Sequence, residues 1–310
     1  MKSVYYYLSV LIIFLSACHT NKSELETIKV AQFGDVFIYI PLYLANTKGF
    51  FKEEGLKVDL INTGGDDKTY AAVIGGSALF GIADPTFVAI AKEQGIDGCV
   101  IGSIVNSVPF WALTKNPNVP QITNAAMLAP YSVATFSAPS TAYTVQTEMF
   151  RQGAFGTLLP MLDTGNADIA LELEPNVSIA VANGAKVVYS FADKYPDFTF
   201  TGITTSKKTI DEKPEIVQHF INAITKAEKF AHEYPDSAAY YMAELYPDVN
   251  KNIIAQAIKR MVDSNTLPQN AVISPEAWKQ AVALRHRMGD LKSLDNIESV
   301  LDMNFAEKAR

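Results

Sequence analysis

Leu79-Phe80-Gly81-Ile82-Ala83-Asp84-Pro85, continued by Thr86 to Gln94, is the stretch that decides the fold. Leu79 to Ala83 is a short apolar run of the kind that forms a buried strand. Asp84 then offers an N-cap oxygen and Pro85 a pre-set φ at the first helical position, so a helix follows at once. The same plan returns at Asp168: an apolar strand to Leu173, the acid-proline pair Glu174-Pro175, and a helix to about Asn183-Gly184. Two copies of strand, acid-proline and helix imply two α/β lobes.

The flanking sequence repeats the alternation. Ile28 to Phe33 reads as a strand broken by Gly34-Asp35, and a helix covers Pro41 to Lys48 with Gly49 as its stop. Leu56 to Ile61 alternates as a strand does, Gly64-Gly65 ends it, and Thr69 to Ile74 suits a helix. Lys186 to Phe191 is a further strand. Strand–helix alternation at this spacing predicts largely parallel sheets with helices on their faces. Pro117 and Pro120 mark one crossing between lobes, and Phe198 to Thr205 a second. The last third is helical. Pro214 to Glu233 sets Val217, Phe220, Ile221 and Ile224 on one stripe, and helices fit Ser237–Leu245, Asn250–Val262 and Pro275–Met288, the last capped by Ser274. His286, between Arg285 and Arg287, reads as part of a solvated face.

The N-terminus carries a different signal. Met1-Lys2-Ser3 supplies one positive charge, Val4 to Leu15 is an apolar run too short to span a bilayer, and small residues follow. That is a secretory signal over residues 1–17. Leu15-Ser16-Ala17-Cys18 resembles the lipobox of bacterial lipoproteins, which implies acylation of Cys18 and a polar tether over 18–27. The protein is then exported and lipid-anchored to a bacterial membrane, on its periplasmic side or at the cell surface. If Cys18 is acylated, Cys99 is the one free thiol, in an apolar run that reads as buried.

Composition narrows the function. The 310 residues are 48% hydrophobic and 19% charged, which excludes a disordered chain. A formal net charge of −7 argues against affinity for nucleic acid through phosphate neutralisation. Two cysteines cannot build a Cys-rich zinc or iron–sulfur site, and the phosphate-loop, dinucleotide, nucleophile-elbow and zincin motifs do not occur. No cofactor, metal or enzymatic activity is expected.

Pro41-Leu42-Tyr43-Leu44-Ala45 with Lys48-Gly49-Phe50-Phe51-Lys52-Glu53-Glu54-Gly55-Leu56 resembles the opening of the NMT1/THI5-like and SsuA-like substrate-binding proteins of ABC importers. Ala83-Asp84 after its strand, Leu173-Glu174-Pro175, and Val187 to Phe220 extend the likeness to about Ala239. The resemblance implies a type II periplasmic-binding-protein fold, two α/β lobes with a hinge and a cleft between them. Lobe 1 takes residues 28–112, lobe 2 takes 113–200, and 201–310 return to lobe 1 and add the C-terminal helices. It also implies a monomer that hands a small solute to ABC permease and ATPase subunits.

In open α/β sheets ligands lie beyond the carboxyl ends of strands. Asp35, Asp84, Ser137, Ser140, Thr141 and Glu174 fall at such ends, and Tyr39, Trp111 and Tyr143 offer ring faces. For Asp84 an N-cap role is an equal reading, whereas Glu174, a poorer cap, points to the cleft. With no Arg or Lys beside these acids in sequence, a dianion would be repelled, and a neutral or weakly basic heterocycle such as a thiamin-precursor pyrimidine is favoured. The alternatives are a sulfonate or nitrate-type anion, a non-transport sensor lipoprotein, or an enzyme on the same fold. The leader has a direct check. Intact mass and detergent partitioning of the native protein should give a chain that starts at an acylated Cys18; an unmodified start elsewhere refutes the anchor.

Overall fold

Ten strands recur along the residues described by this computed structural model, which are 24–136, 150–153 and 157–309. They are β1 (Glu26–Gln32), β2 (Leu56–Asn62), β3 (Phe80–Ala83), β4 (Gly98–Asn106), β5 (Trp111–Thr114), β6 (Val133–Phe136), β7 (Phe150–Gly153), β8 (Ile169–Glu172), β9 (Lys186–Ser190) and β10 (Thr199–Ser206). The helices that position the site are α1 (Ile40–Thr47), α2 (Asp66–Ile74), α3 (Thr86–Lys92), α4 (Asn176–Ala182), α5 (Pro214–Glu233), α6 (Pro235–Leu245), α7 (Lys251–Asp263) and α8 (Pro275–Met288).

The strands form two sheets of the same plan, β2-β1-β3-β10-β4 and β7-β6-β8-β5-β9. In each, three parallel strands meet one antiparallel strand, β10 in the first sheet and β5 in the second. Each antiparallel strand is the one the chain enters directly after crossing from the other sheet. Parallel strands read as apolar runs because both faces are covered; β3, all four residues buried, is the sequence's Leu79–Ala83 run shortened by one.

The first crossing is Ser107 to Phe110, between β4 and β5, and therefore precedes the Pro117–Pro120 segment to which the sequence assigned it. Ser107 takes a positive φ of 53° there. The return runs between Ser190 and Thr199; Phe198 to Thr205 is mostly β10 itself. Phe191 N–H donates to the Phe110 carbonyl at 2.9 Å, and the Phe110 and Phe200 rings meet edge-on at 5.6 Å. The two crossings are thus bound to each other.

Helical periodicity carries the core. Val217, Phe220, Ile221 and Ile224 of α5 are fully buried, and the Phe220 ring stacks on Phe80 of β3 at 4.2 Å. Ser274 caps α8 by accepting from Ala277 N–H at 3.1 Å, and Asn250 caps α7 from outside. Cys99 is buried, and burial pushes its thiol up. Arg285, by contrast, is not on a solvated face: it is 5% exposed, while His286 and Arg287 beside it are exposed.

The core holds one carboxyl group with no partner on either oxygen among the described residues. Glu228 on α5 is fully buried, and neither carboxyl oxygen has a hydrogen-bond partner; Thr225 Oγ1, three residues earlier, has none either. Burial pushes Glu228 well above its usual 4.5, so the folded chain keeps it protonated while the unfolded chain ionises it. The folded state then binds the extra proton, and stability falls as pH rises above about 4.5. Glu228→Met should stabilise the protein by about 1–3 kcal/mol at pH 8, with the gain shrinking toward pH 4. Thermal unfolding of both chains at pH 4, 6 and 8 checks this, and a gain independent of pH contradicts it.

Candidate functional site

The carboxyl edge of the first sheet is built around Asp84. Its Oδ1 accepts from Thr86 N–H at 2.9 Å and from the Thr86 hydroxyl at 2.6 Å, which is the capping role read from the sequence. Its Oδ2 meets Arg285 Nη2 at 2.6 Å. Arg285 also donates from Nε to Thr86 Oγ1 and from Nη1 to Asp290, and its guanidinium lies 5.3 Å from the Phe87 ring centre. The pair is buried on both sides, at 6–7% side-chain exposure. Gly202 of β10 lets this turn pack close, because a Cβ there would sit 2.7 Å from Pro85 Cβ.

Asp66 joins this edge from β2's side. It opens α2 after the Gly64-Gly65 turn, and its Oδ1 accepts the Asp84 N–H at 3.1 Å. Burial, then the neighbouring Asp84, push its carboxyl up to about 6, against the Asp84 N–H and Arg285. Asp66 Oδ2 accepts no hydrogen bond from a described residue. Tyr39, at the start of α1, is 5% exposed; burial and then Asp66 hold its hydroxyl well above its usual value.

The second sheet mirrors this arrangement. Glu174, 1% exposed, takes Arg260 Nε at 2.7 Å and the Ser178 hydroxyl at 2.9 Å on Oε1, and Ser178 N–H at 3.0 Å on Oε2. Glu172, two residues earlier, is fully buried; Asn176 donates to its Oε2, and Oε1 has no partner. Burial pushes it up to about 7. Trp111 of β5 stands opposite Glu172 on one side and Ser190 on the other. Trp111 and Ser190 face α7 across a cavity of about 450 Å³.

The sequence-predicted residues therefore separate. Tyr39 and Asp84 meet at the first edge, Trp111 and Glu174 at the second. Asp35 is exposed and lies apart, held by Gln32 at 3.1 Å and Asn62 at 3.0 Å beside a cavity of about 310 Å³ shared with Tyr43 and Tyr246. Ser137, Ser140, Thr141, Tyr143 and Cys18 lie outside the described residues. The premise that no cation accompanies Asp84 and Glu174 is overturned: Arg285 and Arg260, distant in sequence, neutralise them. Asp66 was missed because its helix was read from Thr69; the signal was an acid pair directly after the Gly-Gly turn closing a strand. Among the described residues no three His, Cys, Asp or Glu are grouped to hold a metal.

Residues 37–238 match the NMT1/THI5-like family. The chain belongs to that family. YtlA of Bacillus subtilis strain 168, a presumed binding protein, is 22% identical over 325 residues, covering 97% of this chain and 95% of its own. The periplasmic aliphatic sulphonate binding protein SsuA from Escherichia coli superposes with a TM-score of 0.68 at 15% identity, over 90% of this chain and 92% of its own. The periplasmic nitrate-binding protein NrtA from Synechocystis PCC 6803 gives 0.67 at 14% identity, over 92% and 88%. The fold is thus the type II periplasmic-binding-protein fold, two α/β lobes with a hinge and a cleft between them.

The Arg260–Glu174 pair generates a stability prediction. Removing the paired cation from a buried carboxylate costs about 3–5 kcal/mol, so Arg260→Ala should destabilise the protein by roughly that amount at pH 8. Burial already pushes Glu174 up, so the bare carboxyl takes up a proton as pH falls and the loss should be smaller at pH 5. Arg260→Met with Glu174→Gln should recover part of it. Denaturant unfolding of the wild type, Arg260→Met, Glu174→Gln and the double variant measures the coupling, and additive losses refute it.

Proposed function

We propose that the protein is the solute-binding component of an ABC importer, capturing a small planar solute between its lobes by closure about the two crossings. The observation that carries this is the pair of like-ordered sheets, each ending in an acid-proline turn at its carboxyl edge, joined among the described residues by two crossings. Membership of the family supports permease and ATPase subunits as partners, and acylation of Cys18 would keep the protein at the membrane from which they work.

The first edge favours a hydrogen-bond-donating heterocycle over an anion. Arg285 is committed to Asp84, Asp290 and Thr86, while Asp66 retains an open oxygen beside the Tyr39 ring. An incoming anion there meets carboxylates; a ring nitrogen that carries a proton meets an acceptor. A thiamin-precursor pyrimidine fits that chemistry.

A thermal-shift screen with 4-amino-5-hydroxymethyl-2-methylpyrimidine, thiamin, riboflavin, taurine and nitrate tests the reading. A ligand at a hundredfold excess over its Kd stabilises the folded state by about 2.7 kcal/mol, which is a rise of roughly 5 °C for a chain of this size. A shift with the pyrimidine is the expected result. Shifts with taurine or nitrate alone refute the heterocycle and leave solute capture standing; no shift with any solute counts against capture itself.

A further inference from the structure

The cavity beside Asp35 belongs to the first lobe alone. Tyr43 and Asn46 of α1, Leu60 of β2, and Leu245 and Tyr246 at the end of α6 enclose about 310 Å³ with Asp35. β2 is one edge strand of its sheet, whereas the crossings leave from β4 at the opposite edge and return into β10 beside it. None of the lining residues comes from the second sheet. A cavity of this size is at the small end of ligand pockets. Among the described residues that line it, Asp35 alone is charged.

Neutral groups hold this carboxylate in place. Gln32, fully buried, donates from Nε2 to Asp35 Oδ1 at 3.1 Å and to Asn62 Oδ1 at 2.7 Å, and Asn62 Nδ2 donates to Asp35 Oδ2 at 3.0 Å. Tyr43 fixes Gln32 from behind, its hydroxyl donating to Oε1 at 3.2 Å. Each carboxylate oxygen thus keeps acceptor capacity. Among the described residues no Lys, Arg or His pairs with Asp35. Tyr246 adds an open hydroxyl, which hydrogen-bonds no described residue and is not sealed from solvent. Its ring is set edge-on against Phe37 at 5.2 Å. Burial and then Asp35 hold that hydroxyl above its usual 10, so it stays neutral. An oriented anion beside tyrosine rings and leucine side chains is the chemistry that receives an organic cation. Calcium would ask for about six to eight oxygens, and this cavity offers a single carboxylate.

We propose that this cavity binds a small organic ammonium ion, its N–H groups given to Asp35 and the Tyr246 hydroxyl and its hydrocarbon body laid against the two tyrosine rings, Leu60 and Leu245. The ammonium supplies a charge that folding does not. Asp84 and Glu174 obtain theirs from Arg285 and Arg260, whereas Asp35 receives only amide donors. The site is independent of what the cleft captures. Its walls lie in one lobe, so occupancy requires no closure about the crossings.

Titration calorimetry of the full chain at pH 7.5 tests this with 3-methylbutylamine as the probe. The amine should bind saturably at one site, while 3-methylbutanol and 3-methylbutanoate, which carry the same hydrocarbon body, should not. Asp35→Asn keeps the shape and removes the charge, and should weaken amine binding at least about tenfold. Tyr246→Leu removes the ring face and the hydroxyl, and should weaken it about two- to fivefold or more. Circular dichroism verifies that both variants are folded. Absence of saturable heat with the amine, equal binding of the alcohol or the carboxylate, or undiminished affinity in both folded variants would each overturn the proposal. The variants read this cavity alone, so the outcome is the same whether or not the pyrimidine binds at the first edge.

Discussion

A carboxylate can remain charged inside a protein only with a cation and hydrogen bonds around it, and that constraint sets where the C-terminal helices lie. Asp84 follows β3 in a buried place, and α8 delivers Arg285 to it; Thr86, Asp290 and the Phe87 ring then complete the guanidinium's surroundings. Glu174 makes the same demand of α7 through Arg260. Replacing either pair by apolar residues need not weaken the fold, but removing one partner leaves a buried charge. The helices are in this sense placed by the acids at the strand ends.

The two pairs differ in what they tie together. Arg285 and Asp84 both belong to the first lobe, so their bond is indifferent to lobe motion. Arg260 does not share that position: α7 continues into a segment hydrogen-bonded along β4 of the first sheet, whereas Glu174 opens α4 of the second. Any opening about Ser107–Phe110 and the Ser190–Thr199 return must be accommodated by α7 or by the Arg260–Glu174 bond. The Phe191–Phe110 bond keeps the two crossings together as a common pivot. Rigid-body closure needs such a pivot, since a hinge of two independent strands would allow twist and shear as well as rotation.

Much of this was readable from local sequence, and the remainder was not local. The acid-proline turns, the Ser274 cap and the Val217–Ile224 stripe depend on neighbours within a turn or two, and each is where the pattern placed it. The first crossing was misplaced because the paired Pro117 and Pro120 drew the reading away from the single Pro109, whose neighbours in Ser107-Val108-Pro109-Phe110 run largely apolar from one strand into the next. The arginine partners lie 86 and 201 residues from their acids, a separation no periodicity encodes. Asp66 was hidden by a helix start read three residues late, so an acid at a strand's carboxyl edge passed as loop.

Recognition capacity in this molecule is best located by asking which polar groups folding leaves without partners. Asp84 and Glu174 attract attention as acids at strand ends, yet Asp84 pairs with Arg285 and Thr86, and Glu174 with Arg260 and Ser178, so their first duty is to the fold. Asp66 keeps an open acceptor, while Trp111 and Arg260 keep open donors. Buried orphans such as Glu228 belong to a separate class, because a group sealed on every side by α5 and its neighbours meets no solute and costs stability instead. The distinction is solvent access. An open acceptor or donor at the wall of a cavity exchanges water for ligand at little cost, whereas a sealed one has no water to exchange. On that criterion Asp66 on the first lobe is an open acceptor, whereas the α7 cavity brings Arg260 and Trp111 together with the carboxylates of Asp193 and Asp263.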